Sequence, residues 1–208
     1  MPFLGLFIAV VCLFTFFRKR SNRSQENVTD RFWKRESIAN NTRLQDLSGL
    51  PYITIPFDKF PIGMYENDLL KNYENTLQTL SGQKIVNFGT QTNTDLKITY
   101  GTASLPALTE YEQNFTTLCQ TLTAYAGQLF ELGHTDDART ILEYGISIGS
   151  DLSQNYLLLA KIYQSSGETG RIRELLASAE QIDSLMKRSI VEKLTAMLPE
   201  DTTNTPVQ

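Results

Sequence analysis

Two successive stretches of 34 residues carry the same pattern. Residues 119–152 read CQTLTAYAGQLFELGHTDDARTILEYGISIGSDL, and residues 153–186 read SQNYLLLAKIYQSSGETGRIRELLASAEQIDSLM. Gly133 and Gly167 occupy the same place in the two stretches, and each follows apolar residues at three- and four-residue spacing, which is typical of a helix. A fixed period of about 20–50 residues indicates a stack of repeated supersecondary units, here pairs of helices.

Further positions match at the same offset. The matched pairs are Leu122 and Tyr156, Ala126 and Ala160, Leu129 and Tyr163, Leu142 and Leu176, and Gly145 and Ala179. Small residues at helix crossings let two axes approach to about 8–10 Å. Because glycine inside a helix costs about 1 kcal/mol relative to alanine, we expect close packing at Gly145. An ordinary helical bundle with coincidental spacing is the alternative.

This pattern resembles the tetratricopeptide repeat (TPR). The matching residues are Leu122, Ala126, Leu129, Gly133, Ala138, Leu142 and Gly145 in the first repeat, and Tyr156, Ala160, Tyr163, Gly167, Leu176 and Ala179 in the second. The chain departs from the family where Ile172 replaces a small residue, and no proline closes either repeat. A helix from Ser184 would then be the terminal cap that such arrays need.

The resemblance implies a non-enzymatic scaffold that binds a protein or peptide on a concave face. Carried over by position, that face would present Gln120, Thr123, Phe130, Gln154, Leu157, Lys161 and Gln164. These side chains are mostly uncharged and polar, with Phe130 and Leu157 as exposed apolar residues. They do not form a basic clamp for an acidic peptide tail.

The helical domain is predicted to cover residues 105–198, followed by a loose tail at 199–208. Five helices are predicted in this domain. The first runs from about Pro106 to Leu132, the second follows an N-cap at Thr135, and the third follows a cap at Ser150 or Asp151. The fourth includes Ile172 to Ile182, and the fifth runs from about Ser184 to Met197.

The N-terminus is predicted to be a membrane anchor over residues 1–17. No charge interrupts Pro2 to Phe17, which as a helix would rise about 24 Å against a hydrocarbon core of about 30 Å. The cations Arg18, Lys19, Arg20 and Arg23 follow this run, so the positive-inside rule places the N-terminus outside and the body in the cytoplasm. This layout resembles uncharacterised bacterial single-pass membrane proteins.

A basic neck is predicted over residues 18–50. Positions 18–46 contain eight Lys or Arg and four Asp or Glu, whereas the chain as a whole has a net charge of −4. The neck would be attracted to anionic lipid headgroups, and the acidic balance argues against a nucleic-acid partner. Phe32 and Trp33 are either interfacial anchors or packing residues on the body.

Residues 51–104 are predicted to be a mixed extended and helical middle segment. Residues 52–57 fit an edge strand or an extended loop because Pro56 cannot donate to a central ladder. An amphipathic helix is predicted from Asn67 to Leu80 with Gly82 as its C-cap, and residues 95–101 fit a helical turn or a short strand. The alternative function is an enzyme or enzyme subunit with a site between residues 52–100 and the helices.

No cofactor, metal or catalytic residue is expected. His134 is the single histidine, and Asp136 and Asp137 are explained by helix capping and the helix dipole. Cys119 fits a packing role, and no glycine-rich phosphate loop occurs. The expected fold is mainly α, with an N-terminal transmembrane helix, an irregular middle segment, and a C-terminal TPR-like array of α-hairpins with a capping helix.

Overall fold

The computed structural model describes residues 29–198, and this part of the chain is mainly helical, as the sequence predicts. It contains no β-strand between residues 29 and 198. The predicted anchor at 2–17 and the predicted tail at 199–208 lie outside the described residues. Among the helices that are described, none combines the length and the apolar character needed to cross a bilayer.

Eight α-helices follow one another in the described range. They are α1 (residues 29–41), α2 (Asp68–Ser81), α3 (Asn93–Tyr100), α4 (Leu105–Glu131), α5 (Thr135–Ser147), α6 (Ser153–Ser165), α7 (Thr169–Glu180) and α8 (Lys187–Met197). Short 3₁₀ helices cover Phe57–Lys59 and Thr102–Ser104. The long helix α4 has nearly the predicted bounds.

The chain forms two compact units that cut across the predicted domain boundaries. Of the described residues, 29–47 and 92–106 form the first unit, and 48–91 and 107–198 form the second. The predicted middle segment at 51–104 is therefore divided between the two units.

In the first unit, α1 packs against α3 through polar contacts. Glu36 accepts hydrogen bonds from Thr94 and from Lys97, whose Nζ lies 3.0 Å away. These contacts hold the pKa of Glu36 below its usual value, mainly because the Thr94 and Lys97 hydrogen bonds favour the carboxylate. The sequence fits either a helical turn or a short strand over residues 95–101. In the structure residues 95–100 belong to helix α3.

Gly101 ends α3 in a conformation that requires glycine. Its φ is +86°, and a Cβ atom here would lie 2.8 Å from the carbonyl oxygen of Arg43. Tyr100, just before it, accepts a 3.1 Å hydrogen bond from the backbone N–H of Gln45. The two backbone segments can therefore approach this closely only because residue 101 is a glycine and has no Cβ atom.

In the second unit, α4 and α6 end in the same hydrogen-bonded turn, 34 residues apart. After α4, the N–H of His134 donates to the carbonyl of Leu129 at 2.9 Å, and after α6 the N–H of Glu168 donates to Tyr163 at 2.8 Å. Both turns pass through a glycine with positive φ, which is +87° at Gly133 and +72° at Gly167. These are Schellman turns, in which glycine avoids the Cβ clash of the left-handed region.

The helices that follow these turns also keep the 34-residue offset. Helix α5 begins at Thr135 and α7 at Thr169, while α4 ends at Glu131 and α6 at Ser165. Helix α8 packs against both α6 and α7. The repeated sequence pattern therefore corresponds to two helix–turn–helix pairs followed by one further helix.

The core of the second unit is built from buried apolar residues, many of them on helices α4 to α8. Its fully buried members include Leu122, Ala126, Leu129, Ala138, Ile141, Leu142, Leu159, Ala160, Ile162, Ala179, Ile190 and Leu194. Gly145 is confirmed as a point of close packing, since a Cβ atom there would lie 3.1 Å from Nδ2 of Asn155. Asn155 is itself fully buried and donates from Nδ2 to the carbonyl of Leu142 at 3.2 Å.

The predicted N-caps of α5 and α6 are wrong. Thr135 is the first helical residue of α5, and the cap position is His134, whose side chain makes no cap hydrogen bond. The Schellman turn closes at His134, so the residue that ends this turn also occupies the N-cap position of α5. Helix α6 begins after Leu152 rather than after Ser150 or Asp151.

The start of α8 also differs from the prediction. Ser184 lies in the turn before this helix, where its hydroxyl donates to Asp151 at 2.6 Å and accepts from the N–H of Met186 at 3.2 Å. These bonds hold Ser184 in a non-helical turn, and α8 begins at Lys187.

The part of the middle segment in the second unit wraps on the helices without forming a strand. Residues 52–56 belong to no helix or strand, Phe57 begins a 3₁₀ helix, and Ile53 donates one backbone hydrogen bond to Ile85 at 2.9 Å. Helix α2 is confirmed, with Asn67 as a side-chain N-cap and Gly82 as its C-cap. The hydroxyl of the buried Tyr125 donates to Glu74 of α2 at 3.0 Å.

Candidate binding groove

One face of the second unit carries a groove of about 540 Å³, which we call the α4/α6/α8 groove. Its lining residues are Gly127, Phe130 and Glu131 from α4, Ser153, Gln154, Leu157, Leu158 and Lys161 from α6, and Lys193 from α8. The residues from α6 follow the three- and four-residue spacing of one helix face, so a single rigid element presents most of the wall.

The floor of the groove is apolar and partly open to solvent. Phe130, Leu157 and Leu158 pack against the core but are only partly buried. Gly127 places no side chain beside them, and a Cβ atom there would meet nothing within 4 Å. An apolar side chain of a partner could therefore lie against these residues and remove further apolar surface from water.

Two lysines stand at the rim. Lys161 lies over the ring of Phe130, with Nζ 5.1 Å from the ring centroid, which is a cation–π geometry. Neither Lys161 nor Lys193 takes part in any ion pair among residues 29–198. Glu131 is the single acidic residue of the lining, so the groove carries a net positive charge.

One hydroxyl on the groove wall has no partner in the described structure. The Oγ atom of Ser153 is buried and makes no hydrogen bond. Ser153 is the first residue of α6, where a backbone N–H also lacks an intrahelical partner.

Of the seven positions predicted to line the binding face, four come together here. Phe130, Gln154, Leu157 and Lys161 all line the α4/α6/α8 groove.

The other three predicted positions lie elsewhere. Thr123 is buried, and its Oγ1 donates to the carbonyl of Cys119 at 2.8 Å and lies 3.5 Å from Oδ1 of Asn155. It faces α6, so the prediction that it lines the groove is wrong. Gln164 is exposed beside the end of α8, where its Nε2 lies 3.5 Å from the carbonyl of Met197. Gln120 is exposed outside the lining.

Sequence reasoning missed several lining residues. Ser153 and Leu158 flank predicted positions on the same face of α6, so helical spacing could have found them. Lys193 depends on how α8 packs against α6, and no local pattern signals that contact.

A second cavity lies where the alternative enzyme hypothesis would place a site. It has a volume of about 590 Å³ and is bounded by residues 87–89, α4, and the turns before α6 and α8. Three carboxylates line it: Glu112, Asp151 and Asp183. Asp151 accepts from Ser184 at 2.6 Å, and Asp183 accepts from Thr90 at 2.8 Å. Within the described chain, this lining contains no histidine, cysteine, lysine or arginine.

His134 has a packing role on the opposite end of α5. Its ring stacks on Tyr65 with centroids 3.7 Å apart, and the Tyr65 hydroxyl donates to Asp137 at 2.6 Å. This hydrogen bond raises the pKa of Tyr65. Among residues 29–198, no three histidine, cysteine or carboxylate side chains are placed to hold a metal ion together.

Cys119 is buried in α4, and burial raises the pKa of its thiol to about 12. We therefore expect iodoacetamide to leave Cys119 unmodified in the native protein and to alkylate it after unfolding in urea. Mass spectrometry of the peptide that contains Cys119 measures both states. As a control, an Ala177→Cys substitution on the exposed face of α7 should react in the native protein. Native alkylation of Cys119 at the rate of that control would contradict this assignment.

No protein-family model matches the chain, and comparisons with curated proteins and with solved structures likewise give no match.

Proposed function

We propose that this protein is a membrane-tethered, non-enzymatic interaction module of the TPR-like kind, which binds a peptide segment of a partner protein in the α4/α6/α8 groove. The observation that carries the proposal is the convergence of Phe130, Gln154, Leu157 and Lys161 on one open groove. The TPR resemblance predicts these four positions from the repeat register. An open groove with an apolar floor suits a peptide, whereas an enzyme site needs converging titratable groups.

The two Schellman turns support the TPR-like description. Identical hydrogen bonds recur at an offset of 34 residues, the period of that repeat family. In such arrays a terminal helix covers the last pair, which is the position that α8 takes.

The tether is proposed from the sequence. The uncharged run from Pro2 to Phe17 and the cations that follow it would fix the N-terminus in a membrane and leave the body on the cytoplasmic side. The binding module would then meet its partner at a membrane surface.

The chemistry of the groove indicates what the peptide presents. Phe130, Leu157 and Leu158 would hold an apolar side chain, and Lys161 and Lys193 would favour a carboxylate beside it. An apolar residue flanked by aspartate or glutamate within an internal segment is the expected motif.

A displayed library of random peptides, panned against the full chain in lipid nanodiscs, tests this proposal. We expect enriched peptides to share the apolar–acidic motif, and fluorescence anisotropy to show about tenfold or greater loss of affinity for a Phe130→Ala/Leu157→Ala variant. A Lys161→Glu/Lys193→Glu variant should weaken the same peptides because it reverses the charge of the rim.

The matched control removes apolar atoms at exposed positions outside the groove. Leu69 is 52% exposed and Leu185 is fully exposed, so a Leu69→Ala/Leu185→Ala variant should bind as the wild type does. Circular dichroism checks that each variant is folded. If no peptide is enriched, or if enriched peptides bind the Phe130→Ala/Leu157→Ala variant with unchanged affinity, the groove is not a peptide site.

A further inference from the structure

One face of α1 packs against α3 and then continues beyond it with two aromatic rings. On this face Ala39 is fully buried and Glu36 is bonded to α3. Phe32 and Trp33 lie four and three positions before Glu36, so helical periodicity places them on the same side, one turn nearer the N-terminus. The packed face therefore leads directly into this aromatic pair.

The two rings are exposed. Phe32 is 52% exposed and Trp33 is 65% exposed, and they contact each other edge to face with centroids 5.4 Å apart. Helix α3 begins only at Asn93, whose neighbours already pair with Arg35 and Glu36. The exposure of both rings therefore contradicts the alternative in which they are packing residues on the body.

The charge around this pair fits an anionic surface. Positions 18–46 carry eight cations and four anions, and the exposed Lys34 directly follows Trp33. Aromatic rings of tryptophan and phenylalanine next to basic residues favour the headgroup zone of a membrane, and each nearby cation adds about 1 kcal/mol of attraction to anionic lipids.

The distance along the chain bears on how α1 lies relative to the membrane. Phe32 follows Phe17, the last residue of the uncharged run, by fifteen positions. A straight helix over that length would rise about 22 Å, whereas the headgroup zone on each side of the core is only about 5–8 Å deep. A continuous helix along the membrane normal would therefore carry the rings past the headgroup zone, whereas an α1 that runs along the surface keeps them within it.

We propose that α1 lies along the membrane surface, with Phe32 and Trp33 in the headgroup zone of an anionic leaflet. The inference rests on the membrane tether of the proposed function. It adds a second contact with lipid, which would hold the first unit flat against the membrane rather than on a free stalk.

Trp33 is the only tryptophan of the chain, so its fluorescence tests the proposal without labelling. The full chain is reconstituted in phosphatidylcholine vesicles with and without phosphatidylglycerol. In the vesicles that contain phosphatidylglycerol, we expect Trp33 emission to shift to shorter wavelength. Lipids brominated near the headgroup should quench it more than deeply brominated lipids, and the iodide quenching constant should fall several-fold.

A second variant supplies the matched control. In Trp33→Phe/Leu44→Trp the tryptophan moves to a position that is 67% exposed and follows the end of α1. Its emission should stay that of an exposed indole, quenched by iodide and not by brominated lipid, in both kinds of vesicle.

Co-sedimentation with the vesicles distinguishes a failure of the membrane tether from a failure of the surface contact at Phe32 and Trp33. If the chain sediments with them while Trp33 remains open to iodide, the surface contact is wrong and the tether stands. A blue shift that depends on protein concentration and lacks quenching by brominated lipid would mean that a second copy covers the rings, which also overturns the proposal. If the chain does not sediment with the vesicles, the tether and this inference fall together.

Discussion

Replacing Gly145 by valine is expected to lower the free energy of unfolding by about 1–3 kcal/mol, the usual range for overpacking a filled core. A Cβ atom at Gly145 would lie 3.1 Å from Nδ2 and 3.3 Å from Oδ1 of Asn155. Asn155 cannot easily move, because it is fully buried and bonded to the carbonyl of Leu142. Since valine is a better helix former than glycine, intrinsic propensity alone would predict the opposite sign.

Urea unfolding followed by circular dichroism measures this effect, and Gly170 provides the matched control. Gly170 lies in α7, and a Cβ atom there would meet nothing within 4 Å. Gly170→Val should therefore leave stability unchanged or raise it slightly. In an Asn155→Ala background, the cost of Gly145→Val should shrink by at least about 1 kcal/mol, because the two residues are in contact. Equal costs in both backgrounds would show that close packing on Asn155 is not what requires the glycine.

The repeated helix pairs could be predicted from the sequence because their signals are local. A glycine that must adopt positive φ, such as Gly133, and a small residue at a helix crossing, such as Gly145, mark the chain at fixed places. The caps of α5 and α6 could not be placed in the same way. Whether Thr135 caps a helix or begins it depends on the turn that comes before, and that turn is fixed by hydrogen bonds to α4.

The division into two units carries no local signal. Glu36 and Lys97 are 61 positions apart in the sequence, yet their ion pair joins α1 to α3. The residues next to Glu36 and next to Lys97 in the sequence give no sign that either charge is paired. Sequence reasoning therefore assigned residues 92–104 to the middle segment, whereas tertiary contacts place them with the neck helix.

The sequence predicts only part of the groove, because some of its residues are brought in by packing between helices that are far apart in the sequence. The TPR resemblance implies Phe130, Leu157 and Lys161 by position, and these residues do line the groove. The resemblance implies Thr123 as well, but Thr123 is buried beside Asn155. Lys193 joins the groove only through the packing of α8, which repeat register does not specify.

Cooperative unfolding in alkali is the second large effect that we expect, and it follows from three buried tyrosines and the partly buried Tyr144. Burial raises the pKa of Tyr144 and of Tyr156 to about 12. Burial also raises the pKa of Tyr125 and of Tyr163, and their hydrogen bonds to Glu74 and Glu143 add to the effect. The folded state keeps protons on these groups that the unfolded state loses above a pKa of about 10.

The sign follows from proton linkage. Where the folded state binds more protons than the unfolded state, stability falls as pH rises, by about 1.4 kcal/mol per pH unit for each such group. The contribution of these tyrosines is therefore complete below about pH 10 and is lost as pH rises toward their folded pKa values. Four groups together can remove about 5 kcal/mol per pH unit, so a domain of ordinary stability should unfold within about one to three units above pH 10.

Ultraviolet absorbance of tyrosinate and circular dichroism, followed in one titration, test this prediction. A fraction of the tyrosines should ionise only together with the loss of helical signal. Tyr156→Phe gives the sharpest control, because it keeps a buried ring at a position that is 2% exposed and removes one titrating hydroxyl. This variant should differ little from the wild type at neutral pH and should unfold at a higher alkaline pH. If all tyrosines ionise while the helices remain intact, the buried hydroxyls are open to solvent, and the packing described for Tyr125, Tyr156 and Tyr163 is wrong.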